Sequence, residues 1–183
     1  MHRQPLLQLL AAYQPTDSAE QVFKAQTLAF IRNYPDCFER TLALGHITAS
    51  AWVLNHDQSQ ALLLHHAKLD QWFQLGGHCD GDSDVLAVAL KEAREESGIA
   101  EIVALSPLIF DLDIHQIPAN AREVAHDHYD VRFLLGVVGE QSIVPNHEAK
   151  ALRWISKERL ELPTASRSVV RMFDKWCKLA VMS

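Results

Sequence analysis

The sequence predicts an α/β (α+β) fold with an additional helical segment at its N-terminus. Three features indicate this: apolar residues at helical spacing before residue 42, β-forming runs from Ile47 onward, and an amphipathic stretch at residues 164–181. We expect a helical N-terminal extension over residues 1–42, packed on a domain of residues 43–183. The 183 residues are enough for one domain with a sizeable core.

Composition and charge are those of a soluble globular chain. The sequence is 48% hydrophobic and 22% charged, with a net charge of -6. This acidic balance argues against a surface that wraps nucleic acid. No apolar run approaches the roughly 18 to 20 residues that span a bilayer, so we expect no membrane partner. Cys37, Cys79 and Cys177 lie far apart without a CxxC pair, which favours a reducing cytoplasm and disfavours a cysteine zinc site.

The N-terminal segment contains two predicted helices. The first holds a cluster of leucines and ends at Pro15. Asp17, with Glu20 three residues later, is typical of a capping box that begins a second helix. The second helix runs toward Pro35 and carries its apolar residues at Ala19, Val22, Phe23 and Phe30. We expect these helices to cover the fold, form part of a substrate lid or mediate a homodimer.

The remaining chain alternates predicted strands with two helices. "ITASAWVLN" and "QALLLHH" are separated by a turn at residues 55–59 and predict a hairpin. Further strands are predicted within residues 100–118, in "AHDHYDVRFLLGVVG" and in "ALRWIS". The final helix, over residues 164–181, is expected to bury Val169, Val170, Phe173 and Trp176.

A glycine-rich loop, "LGGHCDGD", precedes a predicted helix over residues 83–97 that Gly98 would end. We expect one apolar arc of this helix to hold Val85, Leu86, Ala89, Leu90 and Ala93. A separate arc would hold Glu92, Glu95 and Glu96. Like charges at this spacing repel, and a hard cation such as Mg²⁺ would relieve that repulsion through oxygen ligands. The alternative is a solvated acidic face.

This stretch resembles the Nudix box, usually written G-x5-E-x7-R-E-U-x-E-E-x-G-U with U aliphatic. The matching positions are Gly77, Glu92, Ala93, Glu95, Glu96, Gly98 and Ile99. Two positions depart: Ser83 replaces the first glutamate, and Lys91 replaces the arginine. Ser83 is placed to cap the helix instead, and Lys91 can pair with Glu95 but lacks the planar fork of arginine. The resemblance extends from Ile47 to the last helix.

The resemblance implies the Nudix fold, a mixed β-sheet sandwiched between helices. It also implies an enzyme that uses Mg²⁺ or Mn²⁺ to hydrolyse a nucleoside diphosphate linked to another group. Glu92, Glu95 and Glu96 would bind the metal, with the Gly77 carbonyl as a backbone ligand. The general base would be a box glutamate, Glu92 or Glu95, or a glutamate on a later loop, for which Glu148 is the candidate.

Two other functions remain open at this point. A catalytically silent Nudix-fold protein could bind a nucleotide as a sensor, and the changes at Ser83 and Lys91 allow this. Isopentenyl diphosphate isomerase shares the fold and has a Cys-Gly-His near its box. Here the corresponding run is Gly76-Gly77-His78, so the catalytic cysteine position is glycine.

A second cluster of polar residues is predicted on two neighbouring strands. Asp111, Asp113 and His115 would share one face of the first strand, and His126, His128 and Asp130 one face of the next. Antiparallel pairing would bring His115 near His126 or His128. These residues could bind a transition metal or a substrate phosphate or base, or could form a hydrogen-bonded polar face.

Other candidate substrate contacts lie outside the box. His78 follows the double glycine, and Trp72 with Phe73 could stack on a nucleobase or belong to the core. The candidate phosphate contacts are Arg122, Arg132 and Lys150.

Overall fold

The computed structural model describes residues 2–119, 124–140, 142–147 and 149–179. Within these residues there are four α-helices: α1 (Gln4–Ala12), α2 (Ser18–Asn33), α3 (Val85–Ser97) and α4 (Arg167–Lys178). The same described residues form seven strands: β1 (Gly45–Leu54), β2 (Gln60–His66), β3 (Gln71–Phe73), β4 (Leu75–His78), β5 (Ile102–Ile117), β6 (His126–Val137) and β7 (Ala149–Ser156). A 3-10 turn, Arg159–Glu161, precedes α4.

The strands form one seven-stranded sheet with the order β3-β2-β1-β6-β5, to which β4 is joined through β1 and β7 through β2. The predicted hairpin is observed as the antiparallel pair of β1 and β2, with Val53 opposite Leu62. Strand β7 pairs antiparallel with β2, placing Arg153 opposite Leu63. All ten residues of β1 are buried, as expected for a central strand.

The chain divides into two compact units. The first comprises Met1–Ser50, Gly77–Ala89 and Ser106–Phe133, and the second comprises Ala51–Gly76, Leu90–Leu105 and Leu134–Ser183. In the second unit, the core includes Trp52 of β1 and Trp176 of α4, whose ring centroids lie 6.1 Å apart.

The second predicted helix ends at Asn33, just before Pro35, so the extension predicted over residues 1–42 is helical only up to that point. Residues 34–44 form turns, because Pro35 cannot continue the helix. These turns are anchored rather than loose: Cys37 is 0% exposed and Phe38 is 2% exposed, and the Cys37 carbonyl accepts a 2.7 Å hydrogen bond from the Ile47 N–H.

The start of α2 confirms Asp17 as its N-cap. Its carboxylate accepts a 2.8 Å hydrogen bond from the Glu20 N–H. Glu20 does not complete a reciprocal box with Asp17; its carboxylate accepts from the Thr16 N–H at 2.8 Å and from the Tyr13 hydroxyl. These bonds turn Glu20 inward, where it is 0% exposed, while Ala19 and Val22 of the expected apolar stripe face solvent.

The C-terminal helix α4 begins at Arg167, three residues later than expected. Val169, Phe173 and Trp176 are buried as predicted. Met172 completes the buried face, and Val170 is only partly buried. The apolar stripe therefore passes through positions 169, 172, 173 and 176, which fits helical spacing better than the expected set.

Replacing Asp17 with alanine removes the N-cap of α2. We expect this to lower the free energy of unfolding by about 1 kcal/mol, because one backbone donor of the first turn loses its acceptor. Urea denaturation followed by circular dichroism measures the change. Asp36→Ala, at an exposed aspartate in the following turns, is the matched control and should change stability by less than about 0.5 kcal/mol. Equal losses in the two variants would contradict the capping role.

Candidate active site

The helix that carries the glutamates, α3, is capped by Asp84 rather than by Ser83. The Asp84 carboxylate accepts a 3.0 Å hydrogen bond from the Ala87 N–H, the bond expected of an N-cap side chain. Gly98 ends the helix as predicted: it adopts φ +74°, and its N–H donates to the Arg94 carbonyl at 2.9 Å.

Glu92, Glu95 and Glu96, the box glutamates, do not share one environment. The side chain of Glu95 is 57% exposed and that of Glu92 is 18% exposed, whereas residue Glu96 is 6% exposed. The expected separate acidic arc is therefore wrong for Glu96. At about 100° per residue, Glu96 falls within about 20° of Val85, in the middle of the buried face.

The carboxylate of Glu96 is fixed by the chain before the box. It accepts a 2.8 Å hydrogen bond from the N–H of Gly76 in β4. Gly76 adopts φ +155°, a conformation that favours glycine. The double glycine thus allows a backbone donor to reach a buried carboxylate.

Lys91 pairs with two of the box glutamates. Its ammonium lies 3.1 Å from Glu92 and 3.5 Å from Glu95, which confirms the expected i,i+4 contact and adds a neighbouring one. The hydrogen bond to Glu92 and the charge of Glu92 raise the pKa of Lys91. Lys91 therefore supplies the positive charge that arginine gives at this position of the motif.

The predicted approach of histidines from β5 and β6 is observed. The ring centroids of His115 and His128 lie 5.3 Å apart, and those of His126 and His128 are also 5.3 Å apart. His78, at the end of β4, lies 5.1 Å from His128 by the same measure. The neighbouring strands β5 and β6 therefore bring His115, His126 and His128 together, as their alternation predicted.

Sequence reasoning missed His46, whose ring contacts three of these histidines. Its ring centroid is 5.0 Å from that of His78, 5.1 Å from His126 and 4.7 Å from His128. The available signal was the alternation of His46, Thr48 and Ser50 along β1, concealed by the apolar residues around it. The histidine cluster comprises His46, His78, His115, His126 and His128.

Burial keeps the imidazole of His128 neutral. Desolvation, followed by the charges of the surrounding histidines, lowers the pKa of His128 to about 2. The neighbouring His126 places Nδ1 2.9 Å from the Val124 carbonyl, and His115 places Nδ1 3.3 Å from Asp113. The rings are thus oriented by partners at their outer edges.

Arg132 and Asp130 belong to a buried ion network in the same unit. Arg132 is 1% exposed and donates to Asp130 at 2.7 Å and to Asp111 at 3.0 Å. A further nitrogen lies 3.4 Å from Asp113. Burial alone would lower the pKa of Arg132, but the three aspartates together raise it. Arg132, expected to contact a substrate phosphate, is instead enclosed by carboxylates.

Trp72 lies beside a cavity of about 690 Å³ in the second unit. Its indole stacks on the His65 imidazole, with centroids 4.8 Å apart and planes within 12°. Thr164 and Ser166 also line the cavity. Lys150, another predicted phosphate contact, is only half-exposed and pairs with Asp70 at 2.6 Å.

Two predicted residues, Glu148 and Arg122, lie outside the described part of the chain. Gly77 lies in β4, where its carbonyl role as a metal ligand stays a prediction. The three cysteines are free, and burial raises the pKa of the Cys79 thiol. Among the described residues, no helix has the length and apolarity needed to cross a membrane.

A family model and several solved structures that resemble this chain all belong to one family. The family model of the NUDIX domain matches residues 45–176. A MutT NUDIX hydrolase from Burkholderia pseudomallei aligns with a TM-score of 0.55 and 19% identity, covering 72% of this chain and 97% of that one. The dihydroneopterin triphosphate pyrophosphohydrolase of E. coli aligns with a TM-score of 0.53 and 16% identity, covering 70% and 92%.

A third similar structure is the NUDIX domain of NrtR from Shewanella oneidensis, complexed with ADP ribose. It aligns with a TM-score of 0.51 and 16% identity, covering 80% of this chain and 94% of that one. No curated protein matches the chain. At these identities the solved structures establish the fold alone, and they confirm the predicted class, a mixed sheet flanked by helices.

The family match spans most of the chain and includes the box glutamates, so the protein belongs to the NUDIX family.

Replacing Arg132 with leucine leaves three buried aspartates without their cation. We expect the free energy of unfolding to fall by about 3–5 kcal/mol, the usual result of removing one partner from a buried pair. Urea denaturation measures it. Arg153→Leu removes an exposed arginine from β7 and should cost less than about 0.5 kcal/mol. If Arg132→Leu were as stable as Arg153→Leu, the buried network would not be ionic.

Proposed function

We propose that the protein is a metal-dependent hydrolase that cleaves the diphosphate linkage of a nucleoside diphosphate joined to another group. The supporting observation is the set of box glutamates on α3, with Glu96 fixed by the Gly76 N–H at 2.8 Å. The chain retains crowded carboxylates although like charges destabilise a helix, which is expected of residues kept for a ligand.

The donor set fits Mg²⁺ or Mn²⁺. Glu92, Glu95 and Glu96 supply carboxylate oxygens, the ligands that hard divalent cations prefer, and Gly77 would add its carbonyl. When bound, such a metal neutralises charge on the diphosphate and lowers the pKa of an attacking water. We assign Glu95 and Glu96 as principal ligands and Glu92 as a ligand or supporting carboxylate.

The proton of the attacking water must pass to a general base. Glu92 and Glu95 are the box candidates, because their side chains reach solvent while Glu96 is buried. Glu148 on the later loop remains the alternative.

The changed positions of the box are compatible with catalysis. Lys91 contacts Glu92 and Glu95, so the local charge balance of the motif is kept. Asp84 caps α3, so the loss of the glutamate at position 83 does not leave the helix start without a side-chain acceptor. A silent nucleotide sensor, the alternative function, is therefore less well supported.

Substrate recognition is proposed to involve Trp72. Its stack with His65 forms a flat wall of the cavity, and a nucleobase can stack on such an aromatic surface. The hydroxyls of Thr164 and Ser166 would offer hydrogen bonds to a sugar or base. His78 is kept as a proposed substrate contact, and a cytoplasmic location and a homodimer stay predictions.

A double variant, Glu95→Gln with Glu96→Gln, removes two proposed metal ligands. We expect hydrolysis to fall by more than about 100-fold, since loss of even a supporting contact at a metal site costs about 10- to 100-fold. The assay uses nucleotide-sugars, ADP-ribose, dinucleoside polyphosphates and oxidised nucleoside triphosphates with Mg²⁺, Mn²⁺ or EDTA.

Glu158→Gln, at an exposed glutamate before the 3-10 turn, is the matched control and should retain wild-type activity. Cleavage that survives both EDTA and the double variant would contradict the proposed metal chemistry. If no compound is cleaved but a nucleotide raises the melting temperature, the sensor function replaces the hydrolase.

Trp72→Ala tests the cavity as the base-binding surface. We expect KM for the cleaved nucleotide to rise by about tenfold or more, with a smaller change in kcat, because stacking on an aromatic side chain is worth about 1–3 kcal/mol. Trp72→Phe retains an aromatic face and should largely restore KM. An unchanged KM for Trp72→Ala would place the base elsewhere.

A further inference from the structure

The histidine cluster lies wholly within the first compact unit and is separate in sequence from the box glutamates. Its members come from four strands: His46 from β1, His78 from β4, His115 from β5, and His126 with His128 from β6. His46 is 2% exposed and His126 is 8% exposed. Because these rings hardly contact solvent, the cluster does not serve to make the sheet surface soluble.

Three of these rings have the spacing of a metal site. One nitrogen from each of His46, His78 and His128 lies within 4.8 Å of the other two. Ligand nitrogens at a tetrahedral zinc ion lie about 3.4 Å apart, which follows from metal–nitrogen bonds of about 2.0–2.1 Å. The three nitrogens must therefore move closer together when an ion binds.

One ring already directs an unused nitrogen into the buried interior. His128 Nε2 is buried and has no hydrogen-bond partner among the described residues. A buried imidazole nitrogen without a partner loses the hydrogen bond it would make to water, so such an atom requires an explanation. A bound cation would explain the unpaired nitrogen, because a neutral imidazole can donate a lone pair to a metal ion.

His126 and His115, the two rings beside the three with metal-site spacing, have the partners that ligating histidines use. Such histidines usually present their second nitrogen to a carbonyl or carboxylate. His126 Nδ1 lies 2.9 Å from the Val124 carbonyl, and His115 Nδ1 lies 3.3 Å from Asp113. Asp113 in turn lies 3.4 Å from Arg132. The rings nearest the three proposed ligands are therefore held in position.

The charge of the surroundings also favours a cation. The buried network beside the cluster contains three aspartates, Asp111, Asp113 and Asp130, and the single guanidinium of Arg132. Its formal negative charges exceed its positive charge by two. A divalent ion on neutral imidazoles would supply the missing positive charge at short range.

We propose that His46, His78 and His128 form a second metal site that binds Zn²⁺ or a similar divalent transition-metal ion. Imidazole donors select Zn²⁺, Co²⁺ or Ni²⁺ over Mg²⁺, which prefers oxygen. His126 or His115, or an exchangeable water, completes the coordination. This site goes beyond the proposed hydrolysis and does not depend on it.

The test is metal binding by the full chain, purified without a polyhistidine tag and stripped with a chelator. Zn²⁺ is titrated by calorimetry in excess Mg²⁺, which occupies oxygen sites, and Co²⁺ is followed by its visible absorption. We expect about one equivalent of Zn²⁺ and a Co²⁺ spectrum of nitrogen-ligated, low-coordinate metal.

Histidine variants locate the site. His78→Asn and, as a second variant, His128→Asn should each weaken Zn²⁺ binding by more than about 100-fold. His56→Asn, at an exposed histidine in the β1–β2 turn, is the matched control and should bind as wild type. The variant with Glu95→Gln and Glu96→Gln should lose hydrolysis and keep Zn²⁺, so failure of either proposal is distinguishable.

Two results would overturn the proposal. Wild-type protein that binds no Zn²⁺ in excess Mg²⁺ would show that the cluster is a hydrogen-bonded polar face. Binding that His78→Asn and His128→Asn both leave unchanged would place the ion elsewhere. Thermal melting of each variant verifies folding, and loss of the Zn²⁺-dependent rise in melting temperature provides an independent readout.

Discussion

The buried ion pairs of Arg132 with Asp111, Asp113 and Asp130 are the constraint on which the polar face of the sheet depends. Charges removed from water are costly unless they are paired and hydrogen-bonded. The network satisfies that requirement only at one register of β5 and β6, since a slip of one residue would turn Arg132 to the opposite face.

The same register organises residues beyond the network. Asp130 accepts hydrogen bonds from Thr48 at 3.0 Å and Ser50 at 2.7 Å, which ties β1 to β6. His46 lies two residues before Thr48, and His128 two residues before Asp130, so both histidines share the side of the sheet that the ion network occupies. The histidine cluster is therefore a consequence of the same strand alignment.

The chain offers two donor sets of different chemistry. The box glutamates on α3 present oxygen atoms, with Glu96 oriented by Gly76 and Glu95 largely exposed. The histidine cluster presents imidazole nitrogens in buried surroundings. Hard cations such as Mg²⁺ prefer oxygen donors and borderline ions such as Zn²⁺ accept imidazole nitrogens, so the two proposed sites would select different ions.

Much of the fold could be predicted because it depends on the conformational preferences of residues close together in the sequence. Gly98 adopts φ +74°, and Asp17 caps α2, as their residue types indicate. What could not be predicted depended on tertiary partners. Glu96 is buried because a backbone N–H twenty residues earlier reaches it, and Glu20 because Tyr13 and Thr16 turn it inward.

The candidate site divides in the same way. The box supplied its glutamates by pattern, and the alternation along β5 and β6 predicted that His115 would approach His128. His46 was missed because the apolar residues of β1, which is buried throughout, dominate its sequence. The alternation of His46, Thr48 and Ser50 was therefore not recognised. Arg132 was misjudged because charge alone does not reveal whether an arginine faces solvent or three aspartates.

Anomalous diffraction from crystals soaked in Mn²⁺ and Zn²⁺ together tests most directly whether the chain holds two metal sites of different chemistry. Data collected at the absorption edge of each metal assign every peak to its element. The account predicts a manganese peak at Glu92, Glu95 and Glu96 and a zinc peak among His46, His78 and His128. Both metals at one position, or no peak at either donor set, would contradict it.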